Sequence, residues 1–203
     1  IEVTEVNGLV IKSKYDKVGN LIQIDKEGVV TSFTYDALNQ MTKITYPNGG
    51  TYTMTYDKAG NTIAETNTLN ETTKYVYDGA GRTIQITDSE GGTAVLSYDG
   101  NGNLSQITDA IGGSTTMKYN SFHEVTEATD PLGYVTKYEY DNNEQVTKIT
   151  DALGVSSDYE YDALGMPVKI TDGNGNSYQM TYDANGNYKS ITAPDGGTVT
   201  YDY

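Results

Sequence analysis

The side chains best equipped for chemistry here are a single histidine, His123, and 28 acidic residues; cysteine is absent. Without Cys there is no disulfide, zinc-thiolate site, iron–sulfur cluster or thiol nucleophile. A Ser-His-Asp arrangement would have to be built around His123, and no G-x-S-x-G elbow presents a serine. Paired carboxylates could serve a glycosidase, which needs only two acids at a set separation. Asp99, Asn101, Asn103 and Asp172, Asn174, Asn176 have the D-x-N-x-N opening of a calcium loop. Leu104 and Ser177 stand where that loop needs Gly, and Ala110 stands where the first would need its bidentate Glu. Asp183 falls at the twelfth place of the second loop. The 19 tyrosines offer another chemistry, rings that stack on a pyranose face with a hydroxyl to hand.

All these residues are positioned by an internal repeat. Tyr-Asp occurs at Tyr15-Asp16, Tyr35-Asp36, Tyr56-Asp57, Tyr77-Asp78, Tyr98-Asp99, Tyr140-Asp141, Tyr161-Asp162 and Tyr182-Asp183, with Tyr119-Asn120 in the one gap and Tyr203 at the end. The spacing is 20 once and 21 eight times. Four residues after each Tyr stands Gly19, Asn39, Gly60, Gly81, Gly102, His123, Glu144, Gly165 or Gly186, mostly residues that accept positive φ cheaply. This predicts a tight turn, with His123 in a turn role. An active site is not copied eight times, whereas an Asx side chain that bonds nearby backbone N–H groups is. No residue is therefore assigned to catalysis, to a cofactor or to a metal.

A second turn follows in each unit. Ile24, Ile44, Ile86, Ile107, Ile149, Ile170 and Ile191 lie nine after the Tyr, with Glu65 and Ala128 as exceptions. Gly49, Gly91, Gly112, Gly133, Gly154, Gly175 and Gly196 lie fourteen after it, most with an Asp three before. Val3-Thr4-Glu5 and Gly8 extend the register to the first residues. Between the second turn and the next Tyr, the pattern has period two: Tyr52, Met54, Tyr56; Thr73, Tyr75, Tyr77; Tyr178, Met180, Tyr182. Polar residues such as Thr55, Lys74 and Glu160 intervene, the signature of half-buried strands. The prediction is all-β: tandem hairpins of about 21 residues, roughly nineteen strands and no helix. An open sheet rarely exceeds ~10 strands without curling, so the array is expected to coil, stabilised by neighbour stacking.

Thirteen basic against 28 acidic residues give a net charge of −15 and a pI near 4.2, which argues against nucleic acid or other polyanions as partners. With 36% hydrophobic residues and a mean hydropathy of −0.55, no stretch approaches the ~18 apolar residues of a membrane helix. The opening IEVTEVNGLV has neither a signal-peptide pattern nor an initiator Met, and reads as the start of a fragment. Low hydropathy with high charge is offset by 10% aromatics and only 4 Pro, so a folded chain is expected.

Y-D-x-x-G-N with I-T-D-x-x-G every 21 positions resembles the YD repeats of the Rhs family, over Val3 to Tyr203. That family includes bacterial Rhs polymorphic toxins, B and C components of toxin complexes, wall-associated toxins and teneurins. The resemblance implies a spiralling antiparallel β-ribbon, part of a hollow shell that encloses a C-terminal toxin or effector domain. It also implies a self-cleaving Asp in a core module at the end of the shell, whose G-R-F and D-P-x-G-L context is not found. Asp130-Pro131-Leu132-Gly133 resembles part of it but sits in the ordinary D-x-x-G turn phase.

Residues 1–203 are accordingly expected to be a single repeat array, with a partial repeat at 1–14 and nine repeats opening at Tyr15, Tyr35, Tyr56, Tyr77, Tyr98, Tyr119, Tyr140, Tyr161 and Tyr182. Their Tyr-Asp pairs, Tyr203 and the turn glycines Gly60, Gly81, Gly102, Gly165 and Gly186 are the structural repeat residues, and tyrosine rings are expected to stack from hairpin to hairpin. The expected function is a non-catalytic wall of a secreted or cell-surface bacterial toxin, with other repeats and an enclosed effector domain as partners. The alternative is a carbohydrate- or cell-surface-binding module that uses the Tyr-rich face. End-to-end self-association through strand edges is also expected, moderated by charge.

Overall fold

The computed structural model describes residues 2–4 and 10–203. Glu5 and Gly8, which extended the repeat register, lie outside them. The chain falls into two compact units, one running to Leu96 and including Asp109–Ile111, the other formed by Ser97–Thr108 and Gly112–Tyr203. The first carries β1 (Glu2–Thr4), β2 (Val10–Tyr15), β3 (Leu21–Lys26), β4 (Val29–Tyr35), β5 (Met41–Thr45), β6 (Thr51–Tyr56), β7 (Thr62–Thr66), β8 (Thr72–Tyr77), β9 (Thr83–Thr87) and the start of β10 (Thr93–Tyr98). The second carries β11 (Leu104–Thr108), β12 (Ser114–Tyr119), β13 (Val125–Thr129), β14 (Val135–Tyr140), β15 (Val146–Thr150), β16 (Ser156–Tyr161), β17 (Pro167–Thr171), β18 (Ser177–Tyr182), β19 (Tyr188–Thr192) and β20 (Thr198–Thr200). The described residues contain no helix. Within each unit every strand pairs antiparallel with the next in sequence. The all-β architecture of tandem hairpins is as the sequence predicts, with short β1 bringing the strands among the described residues to twenty.

Apart from the link between β3 and β4, the turns of the repeats share one construction. In the turn after β6, Asp57 N–H donates to the Asn61 carbonyl at 2.9 Å and Gly60 N–H donates back to the Asp57 carbonyl at 3.1 Å. Gly60 has φ +91°, a left-handed conformation that removes the Cβ penalty. Asn39, Asn70, His123 and Glu144 hold the equivalent position at φ 64–66°; Asn70 fills the place of the second-turn glycine that this repeat lacks. The 20-residue first spacing has a local cause. The link between β3 and β4 is a two-residue turn, Glu27-Gly28, with φ +54° and +88°, the positive pair that a type I′ hairpin requires.

Simple alternation fails at one place in most repeats. β6 and β7 pair Thr55 with Ala64 and then Tyr56 with Thr62, so Ile63 is bulged out. The same shift precedes Tyr15, Tyr35, Tyr77, Tyr119, Tyr140, Tyr161 and Tyr182. A bulge re-aims the neighbouring side chain and interrupts the ladder, and it does so beside each Tyr. The threonines flanking the second turn have their own role: Thr66–Thr72, Thr108–Ser114 and Thr171–Ser177 are hydroxyl pairs at 2.8 Å across the strand ends. There is almost no conventional core. Met180, 7% exposed, is the one buried apolar side chain among the described residues, and the rest of the sheet face is half-buried.

Candidate functional site: the tyrosine–aspartate turns and a tyrosine–glutamate cluster

Seven of the repeat tyrosines hydrogen-bond a backbone carbonyl on the strand that precedes their own. Tyr56 Oη donates to the Met41 carbonyl at 2.6 Å, Tyr77 to Thr62 at 2.7 Å, Tyr119 to Leu104 at 2.8 Å, Tyr140 to Val125 at 2.8 Å, Tyr161 to Val146 at 2.8 Å and Tyr182 to Pro167 at 2.7 Å. Tyr35 reaches Leu21 at 2.8 Å. The accepting residue is the one paired with the preceding Tyr, as Met41 is with Tyr35. The hydroxyl thus takes a carbonyl beside the previous bulge and ties one repeat to the next. Pro167 shows how this constrains the sequence: proline lacks an N–H yet still offers the carbonyl, and it opens its strand, where proline is tolerated.

This corrects the expectation of a stacked tyrosine ladder. Among the described residues the ring pair at stacking distance is Tyr182–Tyr188, 5.0 Å apart and tilted by 32°. The repeat tyrosines are engaged through their hydroxyls on the neighbouring strand, and Tyr182 makes both that bond and the ring contact. Tyr15 is 44% exposed, and Tyr203 is 82% exposed and lies outside any strand. Burial, followed by the nearby Asp36 charge for Tyr56 and the Glu124 charge for Tyr140, pushes these phenols above their ordinary value.

The paired Asp organises the turn itself. Asp57 Oδ1 accepts from the N–H of Ala59 at 2.8 Å and of Asn61 at 2.9 Å, and Oδ2 accepts the Asn61 amide at 3.0 Å. The two backbone bonds recur at Asp16, Asp36, Asp78, Asp99, Asp141, Asp162 and Asp183. Asn120 makes them with its amide oxygen, which explains why Asn replaces Asp there. Donation by the Asn four residues on, first from its side chain and then from its backbone, holds the carboxyls of Asp57, Asp99, Asp172 and Asp183 below the usual aspartate value.

The other candidates are engaged in the same way. Asp99 and Asp172 of the calcium-like loops each accept two backbone N–H groups and one Asn amide of their own turn. His123, at φ +66°, places Nδ1 2.6 Å from Asn103 Oδ1, one repeat back. Asn20 to Asn39 at 2.9 Å and Gln145 to the Gly165 carbonyl at 2.8 Å are stitches of the same type. His123 is brought together with Asn103, which takes no nucleophile's place. Asp130 accepts from Leu132 and Tyr134 N–H, the ordinary second-turn pattern.

One group of residues departs from this pattern. Glu65 stands in β7 where most repeats have Ile, paired with Met54 on one side and Thr73 on the other. Tyr52 and Tyr75 flank it diagonally from the two neighbouring strands. Tyr75 Oη donates to Glu65 Oε2 at 3.4 Å, and the same carboxylate beside Tyr52, followed by burial, drives the Tyr52 phenol up to about 12. Tyr46 lies close enough to add to that shift. Glu65 was legible in the sequence only as an irregularity; its convergence with Tyr46, Tyr52 and Tyr75 depends on register.

Comparison with known proteins follows the same geometry. The RHS-repeat family model matches residues 15–51, 56–93 and 98–134, and the Teneurin YD-shell model matches residues 131–203. No curated protein sequence matches the chain. Among solved structures, TcdB2–TccC3 aligns with a TM-score of 0.82 at 14% identity, and TcdB2–TccC3–Cdc42 with 0.80 at 15% identity, each over 95% of this chain and 12% of theirs. The Photorhabdus luminescens Tc holotoxin pore aligns with a TM-score of 0.59 at 16% identity, over 95% of this chain and 14% of its own. This chain therefore spans about an eighth of the proteins whose fold it shares. From its matched repeats and the Tyr-Asp turns that build them, the chain belongs to the RHS-repeat family.

Proposed function

We propose that this chain is a length of wall in a secreted or surface-delivered bacterial toxin of the RHS type, where it encloses or displays another domain of the parent protein and does no catalysis itself. One observation carries the reading. The groups repeated most often, the Tyr hydroxyls and Asp carboxylates, bond to backbone within the repeat array, seven of the Tyr to the preceding strand and each Tyr-Asp carboxylate to its own turn. Polar groups used this way build a continuous sheet, and they are not left poised for substrate. The fold shared with the TcdB2–TccC3 structures and the YD-shell match support the same reading.

The test is protease protection in the natural full-length protein. The segment downstream of residue 203 is expected to resist digestion in the intact protein and to become sensitive when residues 140–160, one whole repeat, are deleted. Equal sensitivity of that segment in both proteins refutes enclosure.

A further inference from the structure

The repeat provides an internal standard: where its copies agree, a residue that departs from them is not required by the fold. Two neighbouring departures fall in the second unit, where the chain enters β14. Tyr134 is an aromatic ring where the other 21-residue repeats have Gly50, Glu71, Gly92, Gly113, Val155, Asn176 and Gly197. Val135 stands where all of those repeats have a hydroxyl, Thr51, Thr72, Thr93, Ser114, Ser156, Ser177 and Thr198.

The turn itself is built as usual. Asp130 N–H donates to the Tyr134 carbonyl and Gly133 N–H to the Asp130 carbonyl, both at 3.0 Å. The hydroxyl pair that closes other copies, such as Thr87–Thr93 at 3.2 Å and Thr192–Thr198 at 3.0 Å, has no counterpart between Thr129 and Val135, although the two are in register. The Tyr134 ring, 56% exposed, is dispensable to a turn that closes equally well on glycine. An apolar surface has thus replaced a polar closure with no gain to the turn.

Tyr134, Val135, Lys137, Thr150, Asp151 and Ala152 line a hollow of about 500 Å³, within the ~300–1,000 Å³ range of small-ligand sites. Register groups them: Lys137 faces Thr150 across the ladder, and Asp151 follows Thr150 into the next second turn. Lys137 also faces Glu127, but Oε1 of that carboxylate is taken by Lys118 Nζ at 2.6 Å. That bond first, and Lys137 after it, hold the Glu127 carboxyl below its ordinary value; Lys137 has no ion pair of its own among the described residues. Asp151 Oδ1 accepts the Leu153 and Val155 N–H groups at 2.9 Å. Its Oδ2 has no partner, because Val155 stands where Asn176 donates to Asp172 Oδ2 at 2.9 Å. Thr150 is in register with Ser156, yet no hydroxyl bond joins them. The hollow therefore brings together an unpaired ammonium, a half-used carboxylate, a hydroxyl and an apolar wall.

We propose that this hollow binds a small apolar zwitterion of the α-amino acid type, an apolar amino acid or dipeptide. The Lys137 ammonium and the Thr150 hydroxyl take the ligand carboxylate, Asp151 Oδ2 takes the ligand ammonium, and Tyr134, Val135 and Ala152 cover its side chain. Both polar contacts are charge-assisted hydrogen bonds, the stronger kind. A neutral ligand leaves both charges unanswered, an anion meets Asp151 and Glu127, and a cation meets Lys137. A zwitterion answers both and carries no net charge for a chain of −15 to repel. The site is separate from the wall function: either reading can fail while the other stands.

Saturation-transfer NMR on the 203-residue chain tests it, with leucine, leucyl-leucine, N-acetyl-leucine and leucinamide as probes. Leucine or leucyl-leucine is expected to bind, and the tighter of the two tells an amino acid site from a dipeptide site. N-acetyl-leucine, which lacks the ammonium, and leucinamide, which lacks the carboxylate, are expected to bind about tenfold or more weakly. The same loss is expected for Tyr134→Gly, Lys137→Thr and Asp151→Asn. The first two install the residues of Gly113 and Thr116, and the third keeps the turn acceptor, as Asn67 does with Leu69 and Glu71 N–H. Should Tyr134→Gly fail to fold, Lys137→Thr and Asp151→Asn decide. Absence of a signal from both leucine and leucyl-leucine, undiminished binding with either terminus blocked, or equal binding by the folded Lys137 and Asp151 variants overturns the proposal.

Discussion

Tyr140 donates its hydroxyl to the carbonyl oxygen of Val125 at 2.8 Å, fifteen residues back and one repeat away. The bond joins the start of one turn to the bulge that follows the previous one. Repeat tyrosines therefore act in two ways, by covering sheet surface with the ring and by satisfying a backbone acceptor. Removing the hydroxyl alone separates these. Tyr140→Phe is expected to lower stability by about 1 kcal/mol, the usual net value of one hydrogen bond. Tyr140→Ala, which also strips a half-buried ring, is expected to cost about 2–3 kcal/mol. Urea denaturation midpoints of the two variants check the order; equal midpoints for Phe and the parent would remove the tie from the account.

The turn carboxylates invite a comparison of Asn and Ala. Asp99 Oδ1 accepts the Asn101 and Asn103 N–H groups at 2.9 Å, bonds an amide oxygen can also accept, as Asn120 does from Phe122 and Glu124. Asp99→Asn is expected to melt close to the parent, and Asp99→Ala clearly below it, by differential scanning calorimetry.

Acid should unfold the chain through these same groups. The carboxyls of Asp57, Asp99, Asp172 and Asp183 lie below their ordinary 3.8 because the neighbouring Asn donates to the charged form. Asp78 does so through Arg82, first its backbone N–H and then its guanidinium. A depressed folded value means the stabilisation is present above pH 3.8 and is lost as pH falls through the lower folded values. Melting temperature is thus expected to be level at neutral pH and to drop below about pH 4.

Alkali should act through the tyrosines with the opposite sign. Tyr52 and Tyr182 are pushed up to about 12, Tyr52 first by the Glu65 hydrogen bond and Tyr182 first by burial. Their contribution is present below pH 10 and is lost between pH 10 and about 12, as phenolate forms more readily in the unfolded chain. Circular dichroism against pH, with phenolate absorbance followed in parallel, should show unfolding accompany ionisation. Phenolate formation at pH 10 with the sheet intact would contradict it.

Strain offers a stabilising change. Glu144 sits at φ +64° where six sibling turns have Gly, and a left-handed conformation costs a residue with a Cβ roughly 1–2 kcal/mol. Glu144→Gly is expected to raise the melting temperature. His123→Gly should gain less, because it also removes the 2.6 Å contact with Asn103.

The sequence by itself determined the repeat, the all-β class, the turns and the residues with positive φ. These are local properties: a 21-residue period, glycine at fixed offsets and alternation of side chains are written in consecutive residues. His123 could be assigned to a turn for the same reason, since its place in the repeat outweighs its chemistry. Even Glu27-Gly28 was visible as one missing residue, although its two-residue turn was not.

What only the tertiary structure decided was which partners the repeated side chains find. The bulge beside the repeat tyrosines adds one residue to the facing strand, which period-two reasoning cannot detect, and where ring stacking was expected the hydroxyls find backbone carbonyls fourteen or fifteen residues back. The cluster of Tyr46, Tyr52, Glu65 and Tyr75 was hidden for a related reason. Its members lie on four consecutive elements of the first unit, and strand register alone sets Glu65 diagonal to both Tyr52 and Tyr75. A repeat makes local structure legible because each copy restates it; contacts between copies arise where register and bulges place them, and there a single departure from the pattern can acquire neighbours that no consecutive run of residues announces.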